Sequence, residues 1–313
     1  MKRLLVLIFI LSCLFHSIHA QTIDWDQLSN PIYSKEDWSV KDACMIFNEA
    51  DAHFYLFFSA FYFDNGRERS HVSAVKSKDL VHFSEPLFIW DGQDEGWIGM
   101  CSPNITKDGD KYILTYNSWG DKRGKRNQLF YAESDDLNTW NKHLPLSKNL
   151  TTGVRAIDAA LIRHNGRFLL TWKRIQTSQM SISDSLGSNK WLNMGGLNLG
   201  WFENGQFIEI NGHLHLICTA KGNAQKIYKL KNTGDDIWNY TAWDLLTEIT
   251  VPEEAFNTND RMNAGFLFDN TSVDGYYYYI YAGRTENKSH LGRGDNKLGI
   301  TRSRDLKIWS IPE

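Results

Sequence analysis

Three observations predict an all-β fold, a five-bladed β-propeller. A strand pattern recurs five times, each copy built on a short aromatic or aliphatic run, at 54–58, 112–116, 168–172, 213–217 and 276–281. Each run is followed by a closing signature with Asp and, in most copies, a Trp, at 77–83, 134–140, 184–191, 235–238 and 303–309. Turn dipeptides at Asn65-Gly66, Asn165-Gly166, Asn211-Gly212 and Asp274-Gly275 separate strand-like segments, the strongest short hairpin signal. Units of this period stack, because one blade cannot bury both of its faces alone.

Each blade begins just upstream of its run, in an innermost strand whose first residues point at the central axis. The five segments are 40–47, 101–106, 157–162, 201–208 and 263–266. They carry Asp42, Asn104, Asp158, Glu203 and Asn263 in turn. Three blades thus direct carboxylates at one axis. A single Asp at a strand start is as readily a turn residue bonding its own backbone. Three in corresponding places favour a joint site.

Residues 1–20 have a basic start, an apolar stretch and a small residue before Gln21, the build of a secretory signal peptide. Apolar residues continue after Cys13, favouring cleavage near Ala20 over lipidation of that cysteine. The expectation is an exported protein, periplasmic or secreted, with 21–313 as one catalytic domain and no transmembrane segment. Without Lys2 and Arg3, 32 basic residues face 37 acidic ones, a net charge of −5 that suits no nucleic-acid partner. Cys44, Cys101 and Cys218 are too few for a disulfide framework, and Cys44 and Cys101 read as a buried thiol pair in neighbouring inner strands.

Asp42 ahead of Phe54-Tyr-Leu56, Asp158 ahead of 165–169 and Glu203 ahead of 210–214 resemble the three acidic motifs of glycoside hydrolase family 43. The resemblance spans essentially the whole mature chain. It implies a five-bladed propeller that cleaves arabinose- or xylose-containing polysaccharides, with Asp42 as general base, Glu203 as general acid and Asp158 orienting and tuning the acid. Ala43 and Ala159 stand where the family usually has Pro, and Asn204-Gly205 where it has Gly-Pro. The fifth blade offers Asn263-Ala-Gly265 and no counterpart to the inward histidine that many members carry near a central ion or water. Chemistry asks for the same trio independently. Inverting cleavage needs a protonated acid at the leaving oxygen and an ionised carboxylate holding water opposite, and a third carboxylate raises the acid's pKa.

Trp97, in the loop entering the second blade, reads equally as an indole that stacks on a sugar ring and as a packing residue. Arg155 and Arg261 approach inner strands, and Arg284 and His290 follow the fifth run. Two or three of these cations at one cleft would seat a carboxylate or sulfate, so the substrate is an oligosaccharide or polysaccharide, with an acidic one in view. With such a sugar the same carboxylates would serve a lyase or dehydratase of ulvan type. A non-catalytic carbohydrate-binding propeller is the third reading. His213 and His215 lack a third partner at ligand spacing, and no cofactor is called for; a central structural ion stays open. Five Asn-x-Ser/Thr sequences occur, but Asn104, in an inner strand, is a poor glycan acceptor.

Overall fold

The computed structural model describes residues 22–120, 126–232, 234, 236–285 and 295–313. The predicted leader, Asp235 and His290 lie outside the described residues. The described strands form five groups. The first holds β1 (Ser39–Asn48), β2 (His53–Asp64), β3 (Arg67–Ser77) and β4 (Phe88–Trp90). The second holds β5 (Gly99–Asp108), β6 (Lys111–Trp119), β7 (Leu129–Ser134) and β8 (Asn141–Pro145), and the third β9 (Ala156–His164), β10 (Arg167–Arg174), β11 (Thr177–Ser183) and β12 (Leu192–Gly196). The fourth holds β13 (Phe202–Ile210), β14 (His213–Ala220), β15 (Gln225–Leu230) and β16 (Trp243–Ile249), and the fifth β17 (Asp260–Asp269), β18 (Tyr277–Arg284) and β19 (Lys297–Ser303). Sequential strands pair antiparallel within each group. The inner strands β1, β5, β9, β13 and β17 each contact the next, and β17 contacts β1. The ring closes, as a five-bladed propeller.

The fifth blade takes its outer edge from both ends of the described chain. Tyr33 bridges Leu298 and Ser310 bridges Arg302, both on β19. The Asn30 side chain donates to the Ile300 carbonyl at 3.1 Å and accepts from the Ile300 N–H at 2.8 Å. A segment preceding the first blade is thereby fastened to the last.

The aromatic runs are buried on both faces because each second strand packs between two blades. Phe54, Leu56 and Phe58 enter a cluster with the fifth blade's Tyr278 and Ile280, while Tyr55 and Phe57 enter one with Leu114 and Tyr116 of the second. Three further clusters join blades two and three, three and four, and four and five. Burying each such side chain stabilises the fold by roughly 1.5–3 kcal/mol. One close approach lies at Gly265, where an added Cβ would come within 2.2 Å of the Tyr279 ring. That ring is fully buried and donates to Gln225 Oε1 at 2.7 Å. Gly265→Ala is therefore expected to destabilise by about 1–3 kcal/mol in urea titration; an unchanged midpoint would show that the ring yields freely.

The closing signatures are turns that lead out of each third strand. Ser77 Oγ accepts from the N–H groups of Asp79 and Leu80, and Asp79 Oδ1 from those of Val81 and His82. Ser134 with Asp136, and Ser303 with Asp305, repeat the arrangement. Leu80, Leu137 and Leu306 all take left-handed φ, near 60°, and are buried. Trp140 and Trp309 donate from the indole to the carbonyls of Leu137 and Leu306. The fourth blade differs from the expectation, since Trp238 is exposed and the equivalent indole bond, to the Tyr240 carbonyl, comes from Trp243.

Candidate active site

Every inner strand carries a bulge near its start, and at each bulge one residue adopts left-handed φ: Asp42 at 53°, Ser102 at 56°, Asp158 at 56°, Asn204 at 49° and Ala264 at 47°. A bulge with a residue in this conformation re-aims its side chain, and Asp and Asn tolerate it better than most residues. These five, with Asn104, line a small cavity on the axis. The repeat is therefore in different register from the expectation. Ser102 and Ala264, not Asn104 and Asn263, correspond to Asp42 and Asp158, and in the fourth blade Asn204 holds the place while Glu203 precedes it.

Neighbouring blades are stitched at these bulges. The N–H of Ser102 donates to Ser59 Oγ at 2.7 Å, that of Asp158 to Asn117 Oδ1 at 3.0 Å, and that of Ala264 to Thr219 Oγ1 at 3.1 Å. Each acceptor lies on the second strand of the preceding blade, opposite the residue before its own bulge. In the third blade that register position, opposite Ile157, belongs to Lys173. Its ammonium donates to Glu203 and lies 4.3 Å from the centre of the Trp201 ring. A stitching position has become a site residue.

The electrostatics tie the carboxylates together. Lys41 Nζ lies 3.3 Å from Asp42 Oδ1, with both side chains buried. Burial opposes charge on that ammonium, yet the attraction of Asp42, Glu203 and Asp158 holds its pKa above the ordinary lysine value. Asp158 is pushed up to about 6, by burial first and then by Glu203 and Asp42, against the opposing pull of Lys173. Ser102 Oγ donates to its Oδ1 at 2.8 Å. The elevated carboxyl is thus Asp158 itself, the residue expected to tune the acid. Asn204 Nδ2 donates to Asp42 Oδ1 at 3.2 Å, binding blade four to blade one across the axis. Asn104 Nδ2 is committed to the Gly205 carbonyl at 3.1 Å. Glu209 lies at the far end of β13, beside His164, away from the axis.

The expected binding residues do not share one cleft. Trp97 is buried, packs with Trp90 and Phe130, and walls a separate cavity over the second blade, so no face of its indole is free on the axis. Arg261 pairs with Glu253 at 3.2 Å and Arg284 with Asp260 at 3.6 Å, in a depression between blades four and five. Asn263 reaches the same Asp260 at 3.4 Å. Arg155 stands apart from them, on a cleft it shares with Lys173 and Trp201. The proposed cationic seat from Arg155, Arg261 and Arg284 is thereby split, because the fourth and fifth blades supply carboxylates that claim two of the three. Cys44, Cys101 and Cys218 are unbridged and buried, and burial pushes their thiols well up. Among the described residues no three His, Cys, Asp or Glu side chains group as metal ligands. None of the described helices is long and apolar enough to cross a membrane.

Sequence reasoning missed Lys41, Lys173, Ser102 and Asn204. A lysine beside Asp42 and another directly after the run 168–172 were visible, but only the bulge register shows what they face.

Comparison with known proteins agrees with this fold. The α-L-arabinofuranosidase of Lactobacillus brevis superposes with a TM-score of 0.59 at 14% identity, covering 86% of this chain and 92% of that one. A β-xylosidase/α-arabinofuranosidase from a compost microbial metagenome, in complex with xylotriose, gives 0.62 at 13% identity, covering 89% and 95%. Among sequences, the β-1,2-mannobiose phosphorylase of Thermoanaerobacter sp. (strain X514) is 27% identical over 111 residues, 34% of this chain and 35% of that protein. The chain thus matches little more than a third of that relative's length. The model of glycosyl hydrolases family 43 matches residues 28–239, from ahead of the first blade into the fourth. With more than half of its length in that match, and its acidic motifs on blades one, three and four, the chain belongs to glycosyl hydrolase family 43.

Proposed function

We propose that the protein is an exported, inverting glycosidase that trims xylose-, arabinose- or uronic-acid-containing plant or algal polysaccharide. The observation that carries this reading is that Asp42 and Asp158 line one axial cavity while Glu203, from a third blade, is held beside it by Lys173, and all three carboxylates act on the buried Lys41. Asp42 takes a proton from water as the water oxygen bonds to the anomeric carbon. Glu203 gives a proton to the leaving oxygen as the glycosidic bond breaks, and solvent returns the proton from Asp42 to Glu203. Asp158, whose proton is lost near pH 6, shares the pocket and sets how much negative charge the acid must tolerate. Export is supported by the leader-like residues 1–20.

The test is Glu203→Gln assayed on two leaving groups. A dinitrophenyl glycoside needs no protonation and should lose ~10-fold or less, whereas a natural disaccharide should lose ~10²-fold. Equal losses on both would remove Glu203 from the acid role. Proton NMR of the first-formed product decides inversion, since retention of the starting anomer would overturn it. Elimination would instead give unsaturated sugar absorbing in the near ultraviolet.

A further inference from the structure

We infer that the cleft between blades three and four is a subsite for an oxyanion carried on the substrate, a uronic-acid carboxylate or a sulfate ester. The inference rests on the glycosidase reading for its substrate and adds the charge class that the site selects. The cleft is about 680 Å³ and opens beside Glu203, with Arg155, Lys173 and Lys221 on its walls together with Trp201, Gln176 and Asn223. Among the described residues its lining holds three cations and no carboxylate.

Three features mark this as more than an ordinary solvated surface. The chain is acidic overall, with 37 acidic against 34 basic residues, so three cations on one wall go against its composition. Other cations on this face are neutralised, Arg261 by Glu253 and Arg284 by Asp260. Lys173 is bound by Glu203, but Arg155 and Lys221 have no carboxylate partner among the described residues. Finally, Lys173 stands where Ser59, Asn117 and Thr219 stitch the other blades. A lysine there cannot accept that backbone N–H and instead bonds the Glu203 side chain, so its charge is placed for the cleft and for Glu203.

The chemistry fits a planar or tetrahedral oxyanion on a sugar ring. Trp201, half-buried with the Lys173 ammonium over its ring, is the aromatic group on this cleft for the apolar face of a pyranose. Arg155 supplies a fork that matches carboxylate or sulfate geometry, and Lys221, exposed at the rim, supplies a point charge. An anion bound there competes with Glu203 for the Lys173 ammonium. Recognition and acid catalysis would then be linked through one side chain.

Calorimetry on the full mature chain tests the inference without requiring turnover. The probes are acidic oligosaccharides from glucuronoxylan and pectin, each compared with the same mixture after reduction of its carboxyl groups, and sulfated algal oligosaccharides compared with their desulfated forms. At least one acidic probe should bind tenfold or more tightly than its neutral counterpart, and the preference should shrink with added salt. Arg155→Met and Lys221→Met should each bring the ratio of charged to neutral affinity toward one, and circular dichroism would show that both variants fold. Equal binding of charged and neutral forms, or no charge-dependent binding across the panel, overturns the subsite. Formation of a sugar 1-phosphate only when inorganic phosphate is present would also overturn it, by assigning the cleft to a free anion. Charge-dependent binding without bond cleavage in any probe would sustain the subsite and sink the glycosidase reading instead.

Discussion

Asp42→Asn is expected to lower kcat by ~10³–10⁴-fold while leaving sugar affinity within a few-fold of the parent. The replacement changes one atom and removes the only function asked of that atom, acceptance of a proton from water. The backbone tolerates it, because the fourth blade already places Asn204 at the corresponding bulge with φ 49°, against 53° at Asp42. The hydrogen bonding is kept too. An amide oxygen still accepts from Asn204 Nδ2, now 3.2 Å away, and still faces Lys41 Nζ, at 3.3 Å. What the variant lacks is the negative charge and, beside Oδ1, the second oxygen that takes the proton. Turnover is followed by reducing-sugar release and binding by calorimetry on the same preparation. Turnover within tenfold of the parent would take Asp42 out of the mechanism. Loss of binding together with turnover would instead identify a positioning role.

The propeller was legible because blade packing forces its own signature on the chain. Second strands such as 54–58 and 277–281 lie between two blades, so they must be apolar on both faces, and five apolar runs in a row cannot be mistaken for surface strands. The Ser-x-Asp-Leu turns were equally visible, since the side chains that cap them are fixed by local backbone geometry. The carboxylates were found from the same runs, since Asp158 and Glu203 lie ten residues ahead of theirs and Asp42 twelve ahead of its own. Register at the axis was not legible. A bulge displaces the count by a residue or two, and nothing in a string of residues reveals that Ser102 and Ala264, two plain small residues, stand where Asp42 and Asp158 do. The split of Arg155 from Arg261 and Arg284 was hidden as well. It depends on where a carboxylate is offered, at Glu253 ahead of β17 or at Asp260 on β17, and the pairing of Arg284 with Asp260 joins two strands that only the folded blade brings together.

Asp158→Asn should make the protein more stable at neutral pH while costing ~10²-fold in turnover, a trade set by the charge the site buries. The carboxyl of Asp158 is raised from 3.8 to about 6, because burial and the nearby Glu203 and Asp42 oppose its ionisation. Below about pH 4 it is protonated in folded and unfolded chains alike, so its contribution to folding is then intact. As pH climbs through 6 the unfolded chain has already ionised this group and the folded chain must follow. Stability is therefore lost between about pH 4 and 6, by up to ~3 kcal/mol for a shift of this size. Asparagine keeps the acceptor for Ser102 Oγ, the N–H bond to Asn117 and tolerance of φ 56°, but never ionises. Lys173 then has Glu203 alone as its close carboxylate, and the pocket carries two acids against two buried lysines. Urea unfolding should find parent and variant alike at pH 4 and the variant ahead by ~1–3 kcal/mol at pH 8. A variant that is weaker than the parent by the same amount at both pH values would mean that Asp158 holds the bulge together through its shape and hydrogen bonds, and that its charge is not what the fold is resisting.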